Sequence, residues 1–211
     1  MKIALVGITG KIGAPIAEEA LKRGHNITAI VRRKPELSGA LASVPTSVVD
    51  LLDQSALIEA LRGHDVLASA YGPAPEAISS LKEVTKALIA VARGAGVKRL
   101  VVVGGAGSLE VAPGVQLVDT PTFPEIYRAY ALAHREALGL LREASDLDWT
   151  FFAPAAEIGP GPKVGQFRVG AGKLITNSEG RSQISYPDYV DAFVSEIEHA
   201  AYRKQIVTVA Y

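Results

Sequence analysis

Short apolar clusters alternate with stretches of helical periodicity along most of the chain, and this alternation constrains the fold more than any other feature. The clusters fall at Lys2 to Val6, Ile27 to Val31, Ser47 to Val49, Asp65 to Ser69, Arg99 to Val103 and Trp149 to Phe152. Each has the length of a strand. Between them, Ile12 to Lys22, Gln54 to Leu61, Leu81 to Arg93 and Ile126 to Arg142 place apolar residues at helical spacing among Ala, Glu, Lys and Arg. Near-continuous apolar strands such as Leu100 to Val103 suit a parallel sheet covered on both faces, so the pattern predicts a doubly wound, Rossmann-like α/β fold.

The remaining residues extend that core. Gly and Pro are dense from Gly159 to Gly172, and short strands are expected at Gln166 to Val169 and Gln183 to Ser185. A helix from Pro187 to Ala200 and a strand from Gln205 to Val209 follow. The 211 residues fit one domain, because no polar linker interrupts them. Residues 155–211 then form a C-terminal elaboration on the substrate side of that single domain, residues 1–211.

Composition removes several classes of function. Lys plus Arg number 22 and Asp plus Glu 22, so no basic field favours nucleic acid. The absence of cysteine eliminates disulfides, thiolate catalysis and Cys-ligated metals, and fits a cytoplasmic protein. His25, His64 and His199 have no second ligand at metal spacing and are expected to be solvated, so no metal site is expected. No run approaches the roughly 18 apolar residues of a membrane span. The opening MKIALVGITG, broken by glycines, reads as a strand and not as a signal peptide. A small-molecule substrate is expected, with the chain a monomer or homodimer.

Gly7, Gly10 and Gly13 follow the first strand and open the first helix as GITGKIG. A tight strand-to-helix turn favours a residue without Cβ, and the helix start offers unpaired N–H groups to a diphosphate. The turn, with Thr9, Lys11 and Ile12 between its glycines, is therefore a candidate dinucleotide cradle. Nineteen residues past Gly13, where an acid would hold the ribose 2′-OH of NAD, the chain carries Arg32, Arg33 and Lys34. Guanidinium groups there suit a 2′-phosphate, so NADP(H) is expected over NAD(H).

With these residues in place the chain resembles the atypical short-chain dehydrogenases/reductases, in particular the NADH-flavin reductases related to biliverdin reductase B and the NmrA-like proteins. The resemblance rests on KIALVGITGKIG, VVDLLDQSAL, DVLASAYGPAP, RLVVVGGAGSL, DWTFFAPAAEI and ISYPDYVDAFVSEIEH. It implies that Asp50 and Leu51 border the adenine and that Ala70, Tyr71 and Gly72 line the ribose and phosphate path. Gly104 joins the cofactor set, and Ala153 and Pro154 lie beside the nicotinamide.

Ordinary members of that superfamily carry Tyr-x-x-x-Lys, whose lysine lowers the pKa of the proton-donating tyrosine. Here Tyr127 is followed by Ala131 and Tyr130 by His134, so the lysine is missing in both registers. Tyr130 and His134 share a helix face and form a candidate proton-donating pair, with Ser108 a further catalytic candidate beside the readings of packing tyrosine, surface histidine and turn serine. Asp188 and Asp191 read as acids favoured at a helix start.

The leading expectation is an NAD(P)H-dependent reductase passing hydride to a flavin, quinone or similar conjugated acceptor. The flavin would be a substrate and not a tightly held group. Tyr71, Pro73, Phe123, Tyr127, Tyr130, Glu157 and Ile158 are candidates for the acceptor pocket. The alternatives are a non-catalytic NADP(H)-binding sensor of NmrA-like type, and a carbonyl reductase or epimerase working through Tyr130.

Overall fold

A computed structural model describes residues 1–211. Twelve strands and five α-helices alternate along it. They are β1 (Lys2–Val6), α1 (Gly13–Lys22), β2 (Asn26–Val31), β3 (Thr46–Val48), α2 (Gln54–Leu61), β4 (Val66–Ser69), α3 (Ser80–Ala95) and β5 (Arg99–Val103). Then come β6 (Glu110–Ala112), β7 (Val115–Gln116), α4 (Glu125–Glu143), β8 (Asp148–Ala153), β9 (Glu157–Gly159), β10 (Arg168–Ala171), β11 (Gln183–Ser185), α5 (Tyr186–His199) and β12 (Gln205–Ala210).

Eight strands form one sheet in the order β3-β2-β1-β4-β5-β8-β12-β10. The first seven run parallel, and β10 closes the edge antiparallel to β12. The fold is the Rossmann-like α/β sheet that the alternation predicts. Its strands bury both faces by the period of two: Ile3 and Leu5 enter one core, while Ala4 and Val6 enter the other. On the first face lie Ile16, Ala17 and Ala20 of α1 with Tyr189, Phe193 and Ile197 of α5. On the second lie Leu57 and Leu61 of α2, Leu88 of α3 and Leu138 and Leu141 of α4.

Helix ends follow local chemistry. Asp53 caps α2 by accepting from the Ala56 N–H at 3.1 Å, and Ser185 caps α5 ahead of Pro187 in its first turn. Gly96 ends α3 in a left-handed conformation, φ 74°.

The expected strand at Gln166 to Val169 lies two residues later, at Arg168–Ala171, where its partner on β12 sets the register from Arg168 opposite Ala210. The sequence reading lacked β6, β7 and β9, which have three, two and three residues and so carry no readable alternation. No helix is long and apolar enough to cross a membrane.

Candidate functional site: a dinucleotide crevice and an adjoining cleft

β1 is paired with β2 on one side and β4 on the other, and the glycine turn sits at its carboxyl end between them. Gly7 has φ +86°, and a Cβ there would stand 2.5 Å from the Ala70 carbonyl oxygen. A Cβ on Gly13 would stand 2.0 Å from the Gly7 carbonyl oxygen. Both glycines are thus demanded by the turn and its packing on β4. Gly10 is different, since its Cβ would meet only the Gly7 oxygen, at 3.3 Å.

The N–H groups of Lys11, Ile12 and Gly13 make no hydrogen bond within the protein. Neither a side-chain cap nor an acidic residue compensates this end of α1. Lys11, Arg32, Arg33 and Lys34 are exposed around it and enter no ion pair. Unpaired donors, a positive helix end and free cations together fit the diphosphate and phosphate groups of a dinucleotide.

Other candidates distribute unevenly. The Asp50 carboxylate accepts from the Leu52 N–H at 2.9 Å in a turn leading to α2, and Leu51 points into the core. Ala70 presses its backbone on Gly7, as above. Tyr71 turns away: its hydroxyl shares a hydrogen bond with Ser80 Oγ at 2.8 Å, and its ring walls a void of about 20 Å³ with Val84, Leu88, His134 and Phe151. Gly104 lacks a Cβ for a packing reason, because one would lie 2.2 Å from the Phe151 ring.

Beside this crevice opens a cleft of about 1050 Å³. Phe123, Tyr127, Tyr130 and His134 from the segment entering α4 form one wall. Pro154, Glu157, Ile158 and the Gly159–Gly161 stretch form another, with Gln183, Ser185 and Tyr211 beyond. Of the expected pocket residues, Pro73 is buried outside this lining, and its carbonyl accepts from the Tyr130 hydroxyl at 3.4 Å. Ser108 is 2% exposed, its hydroxyl has no partner, and it does not line the cleft.

His134 stacks edge-on against Phe151, with centroids 6.0 Å apart and planes at 77°, and Gly105 packs on its ring. Burial pushes its pKa down to about 4, so the imidazole is neutral at pH 7. No imidazolium therefore takes the place of the missing lysine beside Tyr130.

The remaining histidines correct the expectation of solvated rings. His25 is 11% exposed at its side chain and meets Glu198 at 2.8 Å. His64 reaches Thr28 Oγ1 at 2.9 Å and the Leu61 carbonyl at 3.1 Å, and only His199 is exposed. Both packed rings follow from neighbours that sequence spacing does not reveal.

Asp188 was legible as a helix-start acid but not as the clamp that it is. Completely buried, its carboxylate accepts from the N–H groups of Val164 and Gly165 at 2.8 and 2.9 Å, from Ser185 Oγ at 3.2 Å and from the Tyr211 hydroxyl at 2.6 Å. Burial pushes its pKa up. The Tyr211 hydroxyl, the two backbone N–H groups and Ser185 outweigh that and hold it below the usual carboxylate range. Asp191 instead pairs with Arg23 at 2.9 Å and with Lys163.

The NAD(P)H-binding family model matches residues 7–197, from the glycine turn into α5. The chain belongs to this NAD(P)H-binding family. Among similar family members, YwnB of Bacillus subtilis, an uncharacterized protein, is 38% identical over 212 residues, covering 99% of this chain and 98% of its own. A solved structure from Burkholderia pseudomallei, provisionally named an exported protein, shares 55% identity with a TM-score of 0.93, over 100% of both chains. One from Streptococcus pneumoniae, provisionally named an NADH-flavin reductase, shares 34% identity with a TM-score of 0.89, over 100% of this chain and 99% of that one. This family member accordingly has an oxidoreductase-like fold that binds a nicotinamide dinucleotide.

Proposed function

We propose that the chain is an NADPH-dependent reductase that delivers hydride to a flavin, quinone or similar conjugated acceptor without an essential side-chain acid. The observation that carries this reading is that no lysine stands four residues past Tyr127 or Tyr130, where Ala131 and a His134 packed edge-on against Phe151 are found instead. A carbonyl acceptor needs a proton donor of lowered pKa as charge develops on its oxygen, and no neighbouring lysine or imidazolium prepares Tyr130 for that task. A conjugated acceptor spreads the incoming charge over its own rings. The name of the Streptococcus pneumoniae neighbour agrees with this class of acceptor.

When bound, the dinucleotide supplies a hydride from nicotinamide C4, and the acceptor takes it with one proton from water to leave as its two-electron-reduced form. The chain supplies orientation. The N–H groups of Lys11 to Gly13 hold the diphosphate, and Arg32 and Arg33 hold the 2′-phosphate. Pro154 borders the nicotinamide, whereas Ala153, expected there too, is buried in the core; the aromatic wall of α4 holds the acceptor and keeps water from it.

The test mixes purified protein with NADPH and riboflavin or 1,4-naphthoquinone and follows the absorbance of the reduced nicotinamide. Consumption well above the protein-free rate is expected, with Tyr130→Phe retaining at least about half of it. Tight binding without consumption would overturn the reading in favour of a sensor, and loss of all activity in Tyr130→Phe would favour carbonyl chemistry through that tyrosine.

A further inference from the structure

Of the 25 residues lining the acceptor cleft, Glu157 is the only Asp, Glu, Lys or Arg. Its carboxylate accepts from the Gln183 amide at 2.6 Å and from Arg181 at 3.4 Å. The Gln183 hydrogen bond, with a smaller contribution from Arg181, holds it below the usual carboxylate range and keeps it ionised at neutral pH.

Cations do stand near this cleft, but none lines it: Arg168 spends its guanidinium on the Thr176 and Tyr211 carbonyls, and the others are held by acids. Arg128 pairs with Glu125 at 2.7 Å while its guanidinium lies 5.8 Å from the Phe123 ring centroid, and Lys163 pairs with Asp191. Arg181 is the partner of Glu157 itself. At the other end of the binding surface, Lys11, Arg32, Arg33 and Lys34 have no partners. Free positive charge is therefore available where the dinucleotide phosphates belong and withheld where the acceptor belongs.

A phosphate entering the acceptor cleft would lose water and find no free cation among the lining residues to replace it, the one charged side chain there being a carboxylate already joined to Arg181 and Gln183. A flat uncharged ring loses nothing comparable. Phe123, Tyr127 and Tyr130 offer aromatic surface on one side of it, and Ile158 and Pro160 offer apolar surface on another.

On the reading that this cleft seats the hydride acceptor, we propose that the acceptor is an uncharged planar conjugated ring system. Glu157 and the absence of any free cation in the wall turn away phosphorylated forms of the same ring. Specificity in this site thus lies in charge at the cleft wall, with the ring itself recognised by stacking.

Riboflavin and FMN carry the same isoalloxazine and differ by one phosphate, so their comparison isolates the effect. Flavin fluorescence titrations in the presence of NADP+ report affinity without turnover. Riboflavin is expected to bind about tenfold or more tightly than FMN. Glu157→Gln removes the carboxylate and frees Arg181, so it is expected to shrink that ratio to about threefold or less by improving FMN. FMN binding as well as riboflavin to the unaltered protein overturns the inference, as does a ratio unmoved by Glu157→Gln. Faster NADPH consumption with FMN than with riboflavin would defeat the inference and leave the reductase reading standing. Failure of riboflavin, FMN and 1,4-naphthoquinone alike to bind or to be reduced would defeat both.

Discussion

At the scale of single residues, the three glycines of the turn have two different reasons to be glycine, and substitution separates them. A methyl group on Gly13 collides with the Gly7 carbonyl at 2.0 Å, so Gly13→Ala is expected to cost about 1–3 kcal/mol of folding stability through forced backbone movement. A methyl group on Gly10 meets only the Gly7 oxygen, at a tight 3.3 Å that a shift of roughly a few tenths of an ångström relieves. Gly10→Ala is therefore expected to keep the melting temperature of the parent protein and to lose about tenfold or more in dinucleotide affinity, because the backbone there must meet the diphosphate closely. Thermal unfolding and calorimetric titration of both variants check this. A stable Gly10→Ala protein with full affinity would mean that the diphosphate does not approach that residue. The turn was legible because its spacing, its preceding strand and its following helix coincide in seven residues. Tyr71 and Gly104 were placed correctly at strand ends but not in their surroundings. The hydroxyl of Tyr71 turns toward Ser80, and the missing side chain of Gly104 makes space for Phe151. Side-chain direction just past a strand is set by packing partners distant in sequence, which periodicity does not report.

Elements of very different length build the two halves of the binding surface. The long strands and helices that carry the glycine turn, Arg32 and Pro154 bury continuous apolar faces, and so their sequence patterns announce them. The outer wall of the acceptor cleft is made from three-residue strands β9 and β11, the glycine- and proline-rich Gly159–Gly165 stretch and the end of β12. β11 and β12 were expected where they lie, but β9 and the Gly159–Gly165 stretch bury too little to leave a pattern, and hydrogen bonds to one carboxylate join that stretch to β11 and Tyr211. Asp188 holds the N–H groups of Val164 and Gly165, the Ser185 cap and the Tyr211 hydroxyl together. An amide in its place keeps one acceptor oxygen and turns N–H donors toward donors. Asp188→Asn is expected to destabilise the fold by about 2–3 kcal/mol and to raise the acceptor KM several-fold, with NADPH affinity within about twofold of the parent. The folded pKa of Asp188 lies below the unfolded value, so its ionisation contributes stability in full above the unfolded carboxylate pKa of about 4. That contribution is lost as pH falls from there through the folded pKa, and the Asn variant should show a flatter acid limb in urea unfolding across this window. An unchanged acceptor KM together with an unchanged acid limb would remove Asp188 from the role of clamp.

Over the whole molecule the formal charges cancel, 22 against 22, and function depends on where the unpaired ones stand. Asp191 and Glu157 take up Lys163 and Arg181 beside the acceptor cleft, while Lys11, Arg32, Arg33 and Lys34 stay free around the glycine turn. Alternation of strand and helix made the doubly wound sheet legible, and with it the end of the sheet where ligands gather. It could not reveal this division of charge, because ion pairs such as Lys163 with Asp191 join residues far apart in the chain. The division has a measurable consequence. Exposed cations are screened by salt, since the Debye length shrinks from about 10 Å at 0.1 M to about 3 Å at 1 M. NADPH affinity should accordingly fall several-fold as salt is raised over that range, while riboflavin affinity, which draws on stacking, stays level or rises. Arg32→Ala/Arg33→Ala is expected to weaken NADPH about 100-fold by removing charge-assisted hydrogen bonds to the 2′-phosphate, to change NADH by about threefold or less, and to flatten the salt dependence of NADPH toward that of NADH. Equal losses for the two dinucleotides would show that the arginines serve the diphosphate or the fold, and the preference for NADPH would then have no structural basis in this chain.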